Sequence, residues 1–414
     1  MSGPQLITLG CRLNIADSEA MRAMAADQDD LVIVNTCAVT AEAVRQARKA
    51  VRRAHRERPD ARILVTGCAA QIEPAAFAAL AGVSRVLGTG DQKAAAFRFA
   101  RPGAADIVVS DVFAVRQHAP HLATAFAEHA RAFVGVQTGC DHRCTFCVIP
   151  QGRGASRSAP AGLVVDRIAA LVDAGHAEVV LTGVDLTSYG ADLPGAPTLA
   201  GLVERILRHV PALARLRLSS LDSIEIDERL FEVVTGEARI MPHLHLSLQS
   251  GDDMILKRMR RRHLRGEAVR MIARLKAARP EIAIGADLIA GFPTETPAMA
   301  ANTLALIDDC DVVFGHVFPF SPRPFTPAAR MPQVAPQVVR ARAATLRAAA
   351  AARRARWLAG LAGTTQRVLV ERDGRSGHAA NFARVRLTAP CPPGAIAAIR
   401  ISHVEDDSLI GCPA

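Results

Sequence analysis

Hydrophobic positions change rhythm twice along the chain. Between residues 6 and 68, three short apolar runs, LITLGC (6–11), LVIVNTC (31–37) and RILVTGC (62–68), alternate with segments of helical period. Apolar runs of this kind, separated by helices, predict a parallel sheet covered on both faces. From 131 to 330 the alternation recurs, with strands predicted at 132–137, 178–184, 215–221, 243–250, 282–289 and 312–320. Here several strands carry a polar face. His243, His245, Ser247 and Gln249 lie on one side and Leu244, Leu246 and Leu248 on the other. A polar face inside repeated βα units predicts a partial barrel with an incompletely filled lumen. After a Pro-rich stretch (321–336) and a helix ending near 360, the segments QRVLVE, ARVRLTA and AIAAIRISHV are separated by DGRSG and PCPPG. They predict a small antiparallel barrel. The expected fold class is α/β with three units: a parallel-sheet domain (1–125), a partial (β/α) barrel (131–360) and a compact β-barrel (364–414).

Size and charge refine this picture without deciding it. The 414 residues are 50% hydrophobic, enough for more than one core. Fifty Lys and Arg against 40 Asp and Glu favour a polyanionic partner, although an Arg-rich composition alone has the same effect. Dense basic runs lie at 45–58, 257–265 and 340–356. The first reads equally well as an RNA-contacting face and as a solvated helix face. The start MSGPQLITLGC shows no signal segment, and no apolar run approaches the roughly 18 residues of a membrane span. A cytoplasmic protein with no membrane partner is expected.

Cysteine placement carries more. An odd nine cysteines without a secretion signal argue against a disulfide scaffold. Cys11, Cys37 and Cys68 each follow an apolar strand, so a parallel sheet would bring them to one carboxyl edge, where ligands collect. A lone cysteine in such a place is usually a small hydrophobe; three in one topological position point to a metal site. Cys140, Cys144 and Cys147 form a C-x3-C-x2-C loop after the first barrel strand. Structural zinc wants four protein ligands, and His142 is the sole nearby histidine. An iron–sulfur cubane held by three thiolates leaves one iron open to a small ligand.

The loop, with Phe146 before its last cysteine, resembles that of the radical S-adenosylmethionine (SAM) enzymes, whose open iron binds the cofactor's methionyl group. On that resemblance, Gly183 follows the second barrel strand beside the cofactor amino group. Gly285, Ile289 and Gly291 in GADLIAGFPTET lie beside adenine, and Phe146 and Gln249 join the cofactor contacts. TLGCRLNIADSE, VIVNTCAVT and TGCAAQ resemble the amino-terminal domain of the methylthiotransferases within that superfamily. The terminal segment, with GHAANFARVRL and SLIGC, resembles their compact RNA-binding barrel. The resemblance implies two [4Fe-4S] clusters, one on Cys11, Cys37 and Cys68 and one on Cys140, Cys144 and Cys147. Asn14, Asn35 and Thr36 would orient the first set or act as turn residues.

It further implies SAM as methyl donor and as radical source, an external one-electron reductant, and the anticodon arm of ANN-decoding tRNAs as partner. The segments RLSSLD, HLHLSLQSGDDMILKRMRRRH and FPFSPRPFTPAARMP are similar to the branch acting on N6-threonylcarbamoyladenosine. A ribosomal-protein aspartate or isopentenyladenosine tRNA is the alternative substrate, and a two-cluster electron-transfer protein is the alternative class. No side chain stands out as an acid–base pair. Arg153, Arg217, Ser219 and His245 are expected as lumen or substrate contacts, with Arg153 or Arg217 suited to the threonylcarbamoyl carboxylate.

Overall fold

The computed structural model describes residues 3–89, 106–115, 126 and 128–414. Parts of the expected first unit, 90–105 and 116–125, lie outside the described residues. Five parallel strands, β1 (Gln5–Thr8), β2 (Leu31–Thr36), β3 (Arg62–Gly67), β4 (Val83–Leu87) and β5 (Asp106–Val108), form a sheet in sequence order. Every residue of β2 is buried, because apolar clusters cover both faces of the sheet. Helix α1 (Arg12–Met24) follows β1, α2 (Ala41–Glu57) follows β2 and α3 (Cys68–Ile72) follows β3. In α2, Val44, Ala47, Val51 and Ala54 face the sheet at helical spacing, while its arginines point outward.

All six strands predicted for the second unit are present. Strand β6 (Ala132–Gly135) is followed by a two-residue ribbon, β7 (Gln137–Thr138) with β8 (Arg157–Ser158). Next come β9 (Glu178–Thr182), β10 (Arg215–Leu218), β11 (Ser220–Leu221), β12 (His243–Gln249), β13 (Ala283–Ala290) and β14 (Val312–Pro319). β6, β9 and β10 pair in parallel, as do β11 to β14. The two sheets pair separately; the chain passes from one to the other through Ser219, and an isolated bridge joins Leu216 to Ile240 ahead of β12. The first and last strands, β6 and β14, do not pair. The result is a partial barrel with helices outside, one of them the long helix Pro336–Ala359.

The terminal unit is a closed barrel of β15 (Thr365–Val370), β16 (Ser376–Ala379), β17 (Arg384–Leu387), β18 (Ile396–Glu405) and β19 (Ser408–Pro413). It departs from the fully antiparallel expectation at one seam, where β17 and β19 run parallel. The barrel docks under the amino ends of the central strands. Arg215 Nη2 donates to the Arg367 carbonyl at 2.7 Å, and Arg217 donates to those of Ala379 and Ala380 at 2.9 and 2.8 Å. Phe382 reaches into the lumen, its ring 4.8 Å from that of His243 and 6.1 Å from that of Phe314.

Candidate active site

The cysteine loop sits at the carboxyl mouth of the partial barrel, where barrel chemistry collects. Its start requires glycine: Gly139 has φ +72°, and a Cβ there would lie on the Ala155 carbonyl. The Cys140 amide donates to the Gly154 carbonyl at 3.1 Å, and that of Cys147 to Cys144 at 3.2 Å. Thr145 pins the middle, its amide donating to Met259 at 3.0 Å and its hydroxyl to the Arg258 carbonyl at 2.8 Å. Phe146 packs on an apolar cluster that contains Ile289, Met259 and Phe292. Burial pushes the Cys147 thiol up to about 12 and raises that of Cys140. Arg261 approaches the Cys144 sulfur at 3.7 Å while its other nitrogen donates to Asp222 at 2.7 Å. His142 holds Asp185 at 2.7 Å, and hydrogen bonds that it donates to the Asp185 and Glu225 carboxylates raise its imidazole to about 10.

The lumen above the floor is polar. Gly183 is braced by Gln137, whose Oε1 accepts from the amides of Val184 and Asp185 at 2.9 and 2.8 Å. A Cβ on Gly183 would fall 2.9 Å from that oxygen. Gln137 escaped the sequence reading; its only signal is a polar residue closing the run AFVGVQ. Gly285 makes room for His245, whose Nδ1 would be 2.6 Å from an added Cβ. His245 Nε2 lies 2.9 Å from Asp287, and His316 is 3.4 Å from the same oxygen. Gly291 has φ +71° and faces Val339 of the long helix. Gln249, at φ +63°, ends β12 where its register shifts. The Ser219 hydroxyl, the Ser223 hydroxyl and His243 Nδ1 are buried without a partner among the described residues.

A second trio assembles at the carboxyl edge of the first sheet. Cys11 caps α1, Cys37 follows β2 and Cys68 opens α3. Side-chain amides lace the strand ends together. Asn35 Nδ2 donates to the Asn14 carbonyl at 3.0 Å, and Asn14 Nδ2 to the Leu9 and Thr36 carbonyls at 2.6 and 3.2 Å. The Thr36 hydroxyl donates to Thr66 at 2.6 Å and accepts from the Ala70 amide at 3.1 Å. Gly10, at φ +96°, lets Cys37 close in, since an added Cβ would sit 3.0 Å from its sulfur. Burial pushes the Cys37 thiol up to about 11. Cys11 keeps exposed surface, yet surrounding protein raises its thiol as well. Exposed surface and desolvation coexist where a surface faces an enclosed space.

The trios are neighbours. The short helix Ile149–Arg153 follows the cysteine loop directly, and its Gly152 lies against Cys68, 3.0 Å from Cβ to Cβ were one added. Two of the expected substrate contacts are engaged by the chain's own residues. Arg153 donates to Asn14 Oδ1 at 2.6 Å and Asp17 at 3.1 Å and sets its charge beside Cys68 and Cys11. Arg217 has no exposed surface, and its three nitrogens are taken by Glu178 and the two terminal-barrel carbonyls. Burial works against the Glu178 charge, but Arg217 and Arg131 outweigh it and hold that carboxyl down at about 2. Cys310 is a buried core residue and Cys412 is exposed, both apart from the trios.

Sequence comparison agrees with this arrangement. The Radical SAM superfamily matches residues 134–307, and the uncharacterized protein family UPF0004 matches residues 4–88. Over 345 residues the chain is 49% identical to the threonylcarbamoyladenosine tRNA methylthiotransferase MtaB of Rickettsia prowazekii, covering 83% of this chain and 82% of that one. The chain belongs to the radical SAM methylthiotransferases. A second relative of this methylthiotransferase is the tRNA-2-methylthio-N(6)-dimethylallyladenosine synthase of Erythrobacter litoralis, 35% identical over 89% of this chain and 86% of the relative. Among solved structures, the radical SAM methyltransferase TsrM of Kitasatospora setae superimposes with a TM-score of 0.53 at 16% identity. The match covers 78% of this chain and 77% of that one, and it shows a shared fold. As a radical SAM enzyme, the methylthiotransferase works with an iron–sulfur cluster and SAM. The residues present suit such groups: within each trio the thiols lie near enough to act on one another's charge, and the Ser219 and Ser223 hydroxyls are buried without a partner among the described residues. No helix among the described residues is long and apolar enough to cross a membrane.

Proposed function

We propose that this enzyme places a methylthio group on C2 of N6-threonylcarbamoyladenosine beside the anticodon of ANN-decoding tRNAs, in the cytoplasm. It would use two [4Fe-4S] clusters, one on each cysteine trio, and an external one-electron reductant. The observation that supports this reading is the adjacency of the two trios across Gly152 and Arg153, which would bring two clusters side by side. When bound, the clusters and SAM supply the one-electron and sulfur-transfer chemistry that an unactivated aromatic C–H demands.

The side chains hold that chemistry in register. Arg153 offsets thiolate charge at the second trio, and Arg261 does so at the loop. Phe146 and Ile289 would give the adenosyl group an apolar wall, with Gly183, Gln249, Gly285 and Gly291 completing its cradle. Ser219 and His245 would face the target nucleotide. A cleft of about 390 Å³ beside α2, lined by Arg45, Arg48, Arg52 and Arg323, suits the phosphates of the anticodon arm. The exposed arginines of the terminal barrel, Arg367, Arg384 and Arg400, would extend that contact.

Mass spectrometry of tRNA nucleosides, from cells with and without the gene, tests the reading. Loss of the 2-methylthio derivative with accumulation of threonylcarbamoyladenosine supports it. Loss of the methylthiolated dimethylallyladenosine instead would move the substrate to that base. An unchanged nucleoside profile, in cells that normally carry the modification, would return a protein aspartate to consideration.

A further inference from the structure

The floor of the lumen holds more positive charge than it neutralises. Four guanidiniums meet there, those of Arg12, Arg131, Arg215 and Arg217, against two carboxylates, Glu178 and Glu371. Arg217 and Arg215 are bound to Glu178, at 2.7 and 3.4 Å. Arg131 is bound to Glu371 and lies 3.8 Å from Glu178. The histidines add no charge near neutrality, because burial holds both His243 and His378 below their ordinary value. Arg12 differs from its neighbours. It has no hydrogen bond and no ion pair among the described residues, and its contact is with the Phe382 ring, 5.2 Å from guanidinium carbon to centroid. Arg131 and Arg217 stand 5.4 and 5.0 Å from the same ring. A guanidinium is always charged, and one held among two others without a counter-ion is costly unless something anionic arrives.

The place of Arg12 in the chain says what should arrive. It directly follows Cys11, so its backbone is fixed about 3.8 Å, one Cα step, from a ligand of the second trio. Its guanidinium lies over Phe382, whose ring also neighbours Arg131, just ahead of β6, and Phe314 of β14, while α1 itself packs on β6. The side chain keeps some exposed surface. A group bound by Arg12 would therefore lie on the floor side of the lumen, next to the segment that carries Cys11. We infer that Arg12 is the specificity residue of the enzyme, forming a forked, charge-assisted pair with a carboxylate on the substituent of the target base. This rests on the functional reading above and deepens it. The threonylcarbamoyl group carries such a carboxylate, and the dimethylallyl group carries none. The pair would place C2 by anchoring the opposite end of the base's substituent, a positioning role built on two parallel N–H···O bonds. It would also bring the floor closer to charge balance only when the correct base is present.

The test measures binding to the full-length, cluster-reconstituted protein. Three synthetic anticodon stem-loops serve as probes, carrying threonylcarbamoyladenosine, its methyl ester or plain adenosine at the target position. The native enzyme is expected to bind the free acid about tenfold or more tightly than the ester. Arg12→Gln is expected to bind the acid no better than the ester, with affinity for plain adenosine unchanged. Its melting temperature should not fall, since the substitution removes repulsion from Arg131 and Arg217. If Arg12→Gln keeps the preference for the acid, the proposal is overturned; equal binding of acid and ester by the native enzyme overturns it too. Should Arg12→Gln lose iron, Arg12→Lys replaces it: a partial preference for the acid supports the pair, and an undiminished one overturns it. Failure of the functional reading looks different. Methylthiolated dimethylallyladenosine would then be the nucleoside missing from cells without the gene, whatever the stem-loops show.

Discussion

The mouth and the floor of the central barrel are built from the same strands, yet they treat charge in opposite ways. At the floor, Glu178 gathers Arg215, Arg217 and, at longer range, Arg131, and the terminal barrel's carbonyls take most of the remaining donors. At the mouth, Arg261 and Arg262 bridge acids to the cysteine loop, while Asp222 Oδ1, Arg261 Nε and the Ser223 hydroxyl stay buried and unpartnered among the described residues. Arg12 and His243 Nδ1 aside, the floor's polar groups are paired within the protein, whereas the mouth keeps several valences open. Polar residues on an inward face are therefore not interchangeable evidence of a site. Their depth along the strand, and what seals them, decides whether they hold the fold or meet the substrate.

The largest effect should come from opening the floor. Glu178→Gln leaves three guanidiniums without their shared counter-ion, and we expect a loss of roughly 3–5 kcal/mol in urea unfolding. A change below about 1 kcal/mol would show that solvent reaches the floor and would erase the contrast with the mouth. Next is Phe382→Ala, which empties the lumen plug. The cost should be about 3 kcal/mol; alanine keeps the Cβ that strains a residue at φ +71°, so no strain is relieved. The iron held by the cysteine loop should remain, read by visible absorption.

Acid sharpens the same comparison. The Glu178 carboxyl lies at about 2 in the fold against an ordinary 4.5. Because its folded value is depressed, its contribution is full above 4.5 and is lost as pH falls toward 2. Acid unfolding of the native protein should steepen across that window, and Glu178→Gln should flatten it. The smallest stability effect belongs to the mouth. Thr145→Val deletes the hydroxyl bond to Arg258, about 1 kcal/mol. Its consequence should be local: faster iron loss to a chelator from the cysteine loop, with iron on Cys11, Cys37 and Cys68 released at the native rate. Equal acceleration at both trios would mean that the trios are one mechanical unit.

Much of this was readable in the chain. Six central strands, several with a polar face, a parallel sheet with cysteines at three strand ends and a small terminal barrel all follow from periodicity and turn residues, which are local. The contact of Phe146 with the cluster around Ile289 joins distant parts of the chain and has no such local signal. The partners of Arg217 and Arg153 were not legible, for a common reason. Periodicity gives the face of a residue but not its partner, and their partners, Glu178 with the terminal barrel and Asp17 with Asn14, are distant in sequence. Gln137 was missed because a single glutamine at a strand end carries no pattern. Arg12 was hidden by its neighbour, since a cysteine motif draws the eye to the sulfur and away from the residue after it.

The plugging of the lumen by Phe382 also has a meaning in time. A chain is made from its amino end, and its early domains fold before the later ones exist. All six trio cysteines have emerged by residue 147, whereas the hairpin bearing Phe382 is among the last parts synthesised. Between the end of β14 at Pro319 and the arrival of that hairpin, the central strands are all present but the lumen has no plug. Completion of the terminal barrel is thus the step that closes the lumen from below.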